Sequence, residues 1–575
     1  MQFIQRKILI FLITSFAVTL VESSRILVLL PMPFESHAMT FGTLAEELAR
    51  RGHEVTIVTV RARGKSIPNY REILIDRVTT FGDHFKNYNF SEWRDKIFGF
   101  THLRNTVLPK FLESALETEQ MQTLINSQEK FDAVLGEFFF SQQPLLAFGP
   151  KFNASLIDLC PAFPQANTIR MVGNPMGISY LPETEVDLTD RMTFSQRLFN
   201  TIFSVFKMAH DYAYLLPTSE KVMRRCFRYP GAESLPPINS LMERVSLVLA
   251  NSHFSNHYPR PYAPNVVEIG GFHIKTPDEL PQDLQTFMDE AADGVILVSF
   301  GTNIKSHMIS EERGKALASF FEGLKARVLW RWDNEGVTKD STKLLVKKWL
   351  PQQSILAHPN CILYLTHGGF SSLTEGIYFG VPFVGVPFFV DQHHNVNFIK
   401  AIGIGLKFDI FEETNDDLAR AVNTVLNTPT FRENVKAQSQ IMRDQPQTPM
   451  DRAIFWIEYV IRHKGAHHLK PASVYLPLYQ YLLLDVVAFI FIVLALAMII
   501  LYRLVVIFFQ AAIFLTKVWE QHQRRHYDKP IHEQIYVFII SLPIGILTLT
   551  AVTIQNVIAK VIELSKSKKL DKKKL

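Results

Sequence analysis

Short apolar runs without polar alternation recur along the chain, at residues 26–30, 55–60, 131–135, 245–250, 295–300, 328–332, 362–366 and 383–386. Strands that lack alternation are buried on both faces, the condition of a parallel sheet covered by helices. Parallel neighbours also need a long crossover between them. Between the first two runs Phe41, Leu44, Ala45 and Leu48 recur at helical spacing, and Gly52 closes the segment. Strand, helix and strand within residues 26–60 make a βαβ unit, whose crossover should be right-handed. The pattern predicts an α/β fold with parallel sheets. Residues 270–284, with Pro277, Pro281 and several acids, read as a linker. It divides the soluble part into domains 24–270 and 271–470, and a cleft between two such halves is where a ligand would bind.

The two ends of the chain follow different rules. Arg6 and Lys7 precede a mostly apolar run, residues 8–21, and then Glu22, Ser23 and Ser24. This reads as a signal peptide, residues 1–23, cleaved near Ser23; the alternative, a membrane anchor, meets a run shorter than the ~20 residues a span requires. Sequons at Asn89 and Asn153 agree with a lumenal location. Residues 486–502 are uncharged between Asp485 and Arg503, and apolar character resumes over 504–515. A membrane-spanning region at 482–516 is expected, with Arg503, Lys517, Arg524, Arg525 and Lys529 on its cytosolic side. The chain so read is a single-pass type I protein of the endoplasmic reticulum membrane with its catalytic domains in the lumen.

A basic tail, residues 517–575, follows, with a second uncharged stretch at 535–554 interrupted by Pro543 and Gly545. If that stretch crosses, the C-terminus returns to the lumen. If it lies on the surface, Lys572 and Lys573 resemble a dilysine retrieval signal, or form a plain basic tail near anionic lipid. From residue 560 on, seven lysines face only Glu563 and Asp571, a local balance of +5 that equals the net charge of the whole chain. The basic character belongs to the tail, and no nucleic-acid partner is expected. Cys160, Cys226 and Cys361 match no metal spacing and cannot all pair, so neither a disulfide framework nor a structural zinc is supported.

The densest signal lies between Trp349 and Gln392. A strand at 362–366 runs into the turn His367-Gly368-Gly369 and then a helix over 371–379. Glycines allow close backbone approach, and a helix start offers unpaired N–H groups and a positive dipole end. This is an anion site, for which a diphosphate is the natural occupant. The spacing of Trp349, Gln352, His367, Ser372, Glu375, Asp391 and Gln392 resembles the signature of the UDP-dependent glycosyltransferases, the animal UDP-glucuronosyl and UDP-glucosyl enzymes among them, and the wording of the block looks most like invertebrate members.

The resemblance extends over nearly all of the mature chain up to the span. It implies two facing Rossmann-like halves, the GT-B type, with acceptor bound by 24–270 and donor by 271–470. It further implies that Trp349 packs on uracil, Gln352 lies beside the nucleoside, and His367 with Gly369 and Ser372 cradles the diphosphate. Glu375 would accept the ribose hydroxyls, while Asp391 and Gln392 contact the transferred sugar. Ser371 stands where family members often carry Asn. A second phosphate loop is implied at Ser299, Gly301 and Thr302. No acidic metal cluster accompanies these groups, so the UDP-sugar is expected as co-substrate with neither metal nor cofactor.

Transfer to a hydroxyl needs a proton acceptor. His37 sits just after the first strand at the start of the first helix, whose dipole would favour the neutral ring. The family places its base there, and Glu137 occupies the position of the carboxylate that orients it; Asp132 is an alternative at the wrong end of its strand. One base and a direct displacement imply inversion. Residues 81–111 and 171–226 correspond to segments that line the acceptor pocket in the family. The implied partners are a UDP-sugar, with UDP-glucose favoured over UDP-glucuronate, a small lipophilic hydroxyl compound, the membrane, and a possible second copy of the chain. Membrane-lipid or sterol transfer, and a catalytically silent binding protein, are the competing readings. Gly403-Ile404-Gly405 lacks the third glycine of a dinucleotide site and reads as a turn.

Overall fold

The computed structural model describes residues 23–64, 66–75, 101–337 and 341–525, with scattered positions beyond. The signal peptide but for its last residue, Asn89 and most of 535–554 lie outside the described residues. The chain divides after Tyr475 into two units.

The first unit holds two parallel sheets. The first contains β1 (Arg25–Leu30), β2 (Glu54–Thr59), β3 (Tyr70–Leu74), β4 (Ala133–Gly136), β5 (Ser155–Cys160), β6 (Val245–Ala250) and β7 (Val266–Glu268) in the order β3-β2-β1-β4-β5-β6-β7. Helix α1 (Glu35–Arg50) makes the expected β1–β2 crossover, and α2 (Phe194–His210) lies between β5 and β6 in sequence. The second sheet contains β8 (Val295–Ser299), β9 (Arg327–Arg331), β10 (Leu344–Lys347), β11 (Cys361–Thr366), β12 (Phe383–Gly385) and β13 (Gly405–Lys407) in the order β10-β9-β8-β11-β12-β13. Its helices include α3 (Gln352–Ala357), α4 (Phe370–Phe379) and α5 (Gln392–Ala401). Both sheets reverse their strand order once, between β1 and β4 and between β8 and β11. At such a point the two loops leave in opposite directions and open a crevice at the strands' carboxyl ends.

All eight predicted strands exist. The five that the apolar pattern overlooks have local reasons. β3 carries Arg71 and Glu72 at the sheet edge, β5 has Asp158 in its middle, β10 is a short edge strand, and β7 and β13 span three residues each. Gly403 takes φ +67° in the turn between α5 and β13, as its glycine pattern suggested.

One assignment is corrected by packing. Helix α6 (Pro449–Arg462), placed with the second half by its position in sequence, buries Ala453, Ile454, Ile457 and Val460 in the same core as Ile26, Val28, Ile157 and Leu247 of the first sheet. Its apolar stripe shares that face of the sheet with Phe41, Leu44 and Leu48 of α1, and Arg452 fastens it by donating to the Glu268 carbonyl at 3.1 Å. The domain boundary at 470 therefore follows sequence order and not the core.

In the second unit, α7 (Leu484–Arg525) is one helix containing the predicted span, the segment of the described residues long and apolar enough to cross a bilayer. Its 42 residues reach about 60 Å, twice the ~30 Å hydrocarbon core, so its basic end extends well beyond any single crossing. Asn153 is exposed and takes αL geometry at the end of a short helix, so its amide is accessible. The three cysteines are free and buried.

Ile457→Ala should destabilise the first unit by ~2–5 kcal/mol, the scale of a buried Ile truncation, read from the denaturant midpoint. An unchanged midpoint would show that α6 adds nothing to the first sheet's core.

Candidate active site

A cavity of about 450 Å³ lies at the carboxyl ends of both sheets. His37, Gly301, Thr302, Trp349, Gln352, His367, Gly369, Ser371, Ser372, Glu375, Asp391 and Gln392 all line it. Glu137 stands behind His37, and Ser299 is buried at the end of β8 outside the lining. Residues 171–226 contribute nothing to the lining; the apolar wall comes from Phe34, Phe139, Phe140 and Phe163, with Leu103 and Leu108 from the 81–111 segment. Phe194, Phe199 and Phe206 of that segment are instead exposed on the surface.

His37 enters from the first turn of α1 and Glu137 from the loop after β4, so the β1/β4 reversal brings them together. His37 Nδ1 lies 2.8 Å from Glu137 Oε1 and 3.1 Å from Oε2, leaving Nε2 free of this contact. Burial opposes protonation of the ring, but the Glu137 carboxylate outweighs it, helped by Asp391, and the His37 pKa is raised above 6.5. The expectation that the helix dipole keeps His37 neutral is thus corrected: a carboxylate in contact acts more strongly than a partial charge at the helix end.

The carboxylate's own position is fixed from behind. Gln142 Nε2 donates to Glu137 at 3.2 Å, and Asp158 on β5 accepts the Phe138 N–H at 2.7 Å. Burial pushes the Asp158 carboxyl up to about 8. Phe140 and Ser141 both take positive φ, +48° and +63°, in the same loop, a conformation that non-glycine residues hold only when their surroundings impose it.

On the opposite wall the β8/β11 reversal gathers the glycine loops. A Cβ on Gly369 would lie 2.4 Å from His367 Nε2, and one on Gly301, which takes φ +76°, would lie 2.6 Å from the same ring. Both glycines exist so that the imidazole can lie flat against backbone. Burial and then the charge of Arg331 depress the His367 pKa to about 4. This ring is neutral at pH 7 and can offer an N–H but no charge. The Thr302 hydroxyl is buried in the lining without a protein hydrogen-bond partner, and Gly369 to Ser372 present the N-terminal turn of α4.

Glu375, one turn into α4, receives Gln352 Nε2 at 2.5 Å and Gln353 Nε2 at 2.9 Å, with His273 Nε2 at 3.4 Å. Burial alone would raise its pKa, but these partners, His273 foremost, hold it below the usual carboxylate value. Two carboxylate oxygens still have lone pairs to spare for two hydroxyls. Trp349 is 48% exposed, with the Arg61 and Arg331 guanidinium carbons 5.2 and 5.1 Å from its ring. Gln392 Oε1 accepts from the Phe388 and Phe389 N–H groups at 2.8 and 3.2 Å, which directs its amide NH2 away from the loop. Asp391 accepts from Asn395 at 2.7 Å, and Val390 before it holds φ +59°, strain that fixes the corner.

The family model described as "UDP-glucoronosyl and UDP-glucosyl transferase" matches residues 25–518. The chain belongs to the UDP-glycosyltransferase family. It is 37% identical to UDP-glycosyltransferase UGT4 of Dactylopius coccus over 468 residues, covering 81% of this chain and 91% of the relative. UDP-glucosyltransferase 2 of the same species is 34% identical over 487 residues, 84% and 93% of the two chains. A solved UDP-glucose: anthocyanidin 3-O-glucosyltransferase in complex with UDP shares the fold, with TM-score 0.51 at 16% identity over 77% of this chain and 100% of that one.

In this UDP-glycosyltransferase, sequence reasoning missed Arg331, His273 and Gln353. Arg331 ends β9, lines the cavity, and has a buried Nε with no partner. The run at 328–332 was apolar enough to be read only as core. His273 falls in the segment whose prolines and acids read as a linker, and no local pattern distinguishes Gln353 from the adjacent Gln352.

Gly369→Ala should displace the His367 ring and weaken UDP binding by on the order of tenfold, or ~1.4 kcal/mol, measured by calorimetry. Unchanged affinity would remove the ring from the nucleotide site.

Proposed function

We propose that this enzyme moves glucose from UDP-glucose to the hydroxyl of a small lipophilic acceptor by a single inverting displacement. The observation that carries the reading is the 2.8 Å contact of His37 with Glu137 beside a cavity that Trp349, Glu375 and the α4 N-terminus also line. Glu137 fixes the ring through Nδ1, so Nε2 accepts the proton as the acceptor oxygen bonds to the anomeric carbon. The bond from that carbon to the diphosphate oxygen breaks, and the charge gathering on UDP meets the α4 N–H groups, the His367 N–H and the Arg331 guanidinium. Trp349 would stack on uracil, with Glu375 and Gln352 on the nucleoside and Asp391 and Gln392 on the sugar. No metal is assigned a role.

The glucose donor is favoured by the invertebrate wording of the signature block and by the similarity to the Dactylopius UDP-glucosyltransferase; UDP-glucuronate is second. The apolar wall of Phe34, Phe139, Phe140 and Phe163 suits a lipophilic acceptor. In the same reading α7 anchors the enzyme in the endoplasmic reticulum membrane, the signal peptide directs both sheets to the lumen, and Asn153 is glycosylated.

The deciding experiment supplies membranes containing the full chain with small phenols and either UDP-glucose or UDP-glucuronate. Transfer from UDP-glucose in excess is expected, and it should disappear in His37→Ala while UDP affinity stays near wild type. A variant keeping more than a tenth of the activity would remove His37 as base.

The base works only when neutral, so kcat/KM should fall as pH drops through the raised His37 pKa. Glu137→Gln removes the charge that raises it, and the acid limb should move to lower pH while the plateau falls ~10²–10⁴-fold. A limb that stays in place would separate the two residues.

A further inference from the structure

The loop after β6, residues 251–258, reaches from the first sheet into the second half through two consecutive side chains. Asn256 Nδ2 donates to the Thr374 hydroxyl of α4 at 3.0 Å, and His257 Nε2 lies 3.0 Å from His394 Nε2 of α5. All four residues are buried. Each bond has one direction. Asn256 Oδ1 accepts the His253 N–H at 2.8 Å, and the Thr374 hydroxyl donates to the Phe370 carbonyl at 2.8 Å, which leaves its lone pairs for the Asn256 amide. His257 Nδ1 faces the Tyr258 carbonyl at 3.2 Å, so that nitrogen carries the proton, Nε2 accepts, and His394 donates.

The histidine bond needs two neutral rings, and the surroundings keep them so. Burial and then the Arg260 charge push the His257 pKa well below 6.5 and that of His394 down to about 3. Phe163 stacks on His257 with ring centroids 3.6 Å apart, and Phe398 lies parallel to the same ring at 6.3 Å. The two helices held in this way carry the polar groups of the cavity: Glu375 adjoins Thr374 on α4, and Asp391 and Gln392 stand within one turn of His394 at the start of α5. None of Asn256, His257, Thr374 and His394 lines the cavity itself. Their effect on it passes through the helices they hold.

We propose that the 251–258 loop positions the donor site from the opposite half, the Asn256–Thr374 bond fastening α4 for the nucleotide and the His257–His394 bond fastening the start of α5 for the transferred sugar. The proposal rests on the reading of Glu375 as a nucleoside contact and of Asp391 and Gln392 as sugar contacts. Apolar packing alone tolerates small shifts of one element past another, whereas a buried, fully directed polar bond holds one arrangement. The two bonds act on different parts of the donor. Loss of the histidine bond releases the start of α5 and leaves α4 fastened, so the sugar loses its contacts while UDP keeps its own. Loss of the amide bond releases α4 and weakens UDP and UDP-sugar alike. All four residues are positioning residues.

The test is calorimetry on the full chain in detergent micelles, measuring the Kd of UDP, UDP-glucose and UDP-glucuronate for the wild type and for His394→Leu, His257→Phe, His394→Gln and Thr374→Val. In His394→Leu and His257→Phe the UDP-sugar that the wild type binds should weaken by about fivefold or more, with UDP within about twofold of wild type. His394→Gln, whose amide still donates to His257, should stay within about twofold of wild type for every ligand. Thr374→Val keeps the volume and removes the acceptor, so UDP and the UDP-sugar should weaken by one common factor. Wild-type sugar affinity in His394→Leu and His257→Phe would overturn the proposal. Equal losses of UDP and UDP-sugar in those two variants would mark a general loosening and overturn it as well, and so would the absence of a cooperative melting transition in both. A wild-type chain that binds UDP and neither UDP-sugar would instead overturn the sugar contacts of Asp391 and Gln392, and the proposal with them, while leaving the nucleotide site in place.

Discussion

Parallel pairing at two places, β1 with β4 and β8 with β11, is the constraint from which the rest of the molecule follows. Each pairing is a point where the chain's crossovers part to opposite sides, so the loops after both strands are left facing a crevice rather than packing on one another. His37 and Glu137 leave the first point, and Gly301, Thr302, His367 and Gly369 leave the second. No side chain had to be carried into the cavity by a long excursion of the backbone. Glu137 and His367 are the first residues beyond β4 and β11, and His37 follows β1 by one short loop, in the first turn of α1.

Within that shared cavity the protein gives its two histidines opposite characters. His37 and His367 start from one intrinsic pKa, and burial lowers both. A carboxylate in contact then pulls His37 up, while the Arg331 cation and burial leave His367 low. The first can accept and hold a proton; the second remains an uncharged donor throughout the neutral range. Glu375 and Asp391 are divided in the same way: amides and His273 hold Glu375 as a carboxylate, while burial lifts Asp391. Environment, more than residue type, sets which group carries a proton near neutral pH.

α6 and α2 show how far packing departs from linear order. The apolar stripe of α6 packs beside α1 on the first sheet after the chain has completed the second sheet, tying the two halves into one unit. In α2 the usual rule is reversed because a buried ion network has claimed the inner face, and its aromatic residues are left to the exterior.

The sequence by itself determined the fold class, eight of the strands, the candidate span and twelve residues of the cavity lining. Each rests on a local signal: continuous apolar runs, helical spacing, glycine turns, and a motif held at fixed spacing within one βα unit. Only tertiary structure decided the sign of the His37 shift, which depends on a carboxylate a hundred positions away, and the presence of Arg331 and His273 in the cavity, one hidden in an apolar run and the other in a linker. It also decided which way the aromatic residues of α2 point. Composition counts apolar residues without telling which face of a helix a buried lysine has already taken.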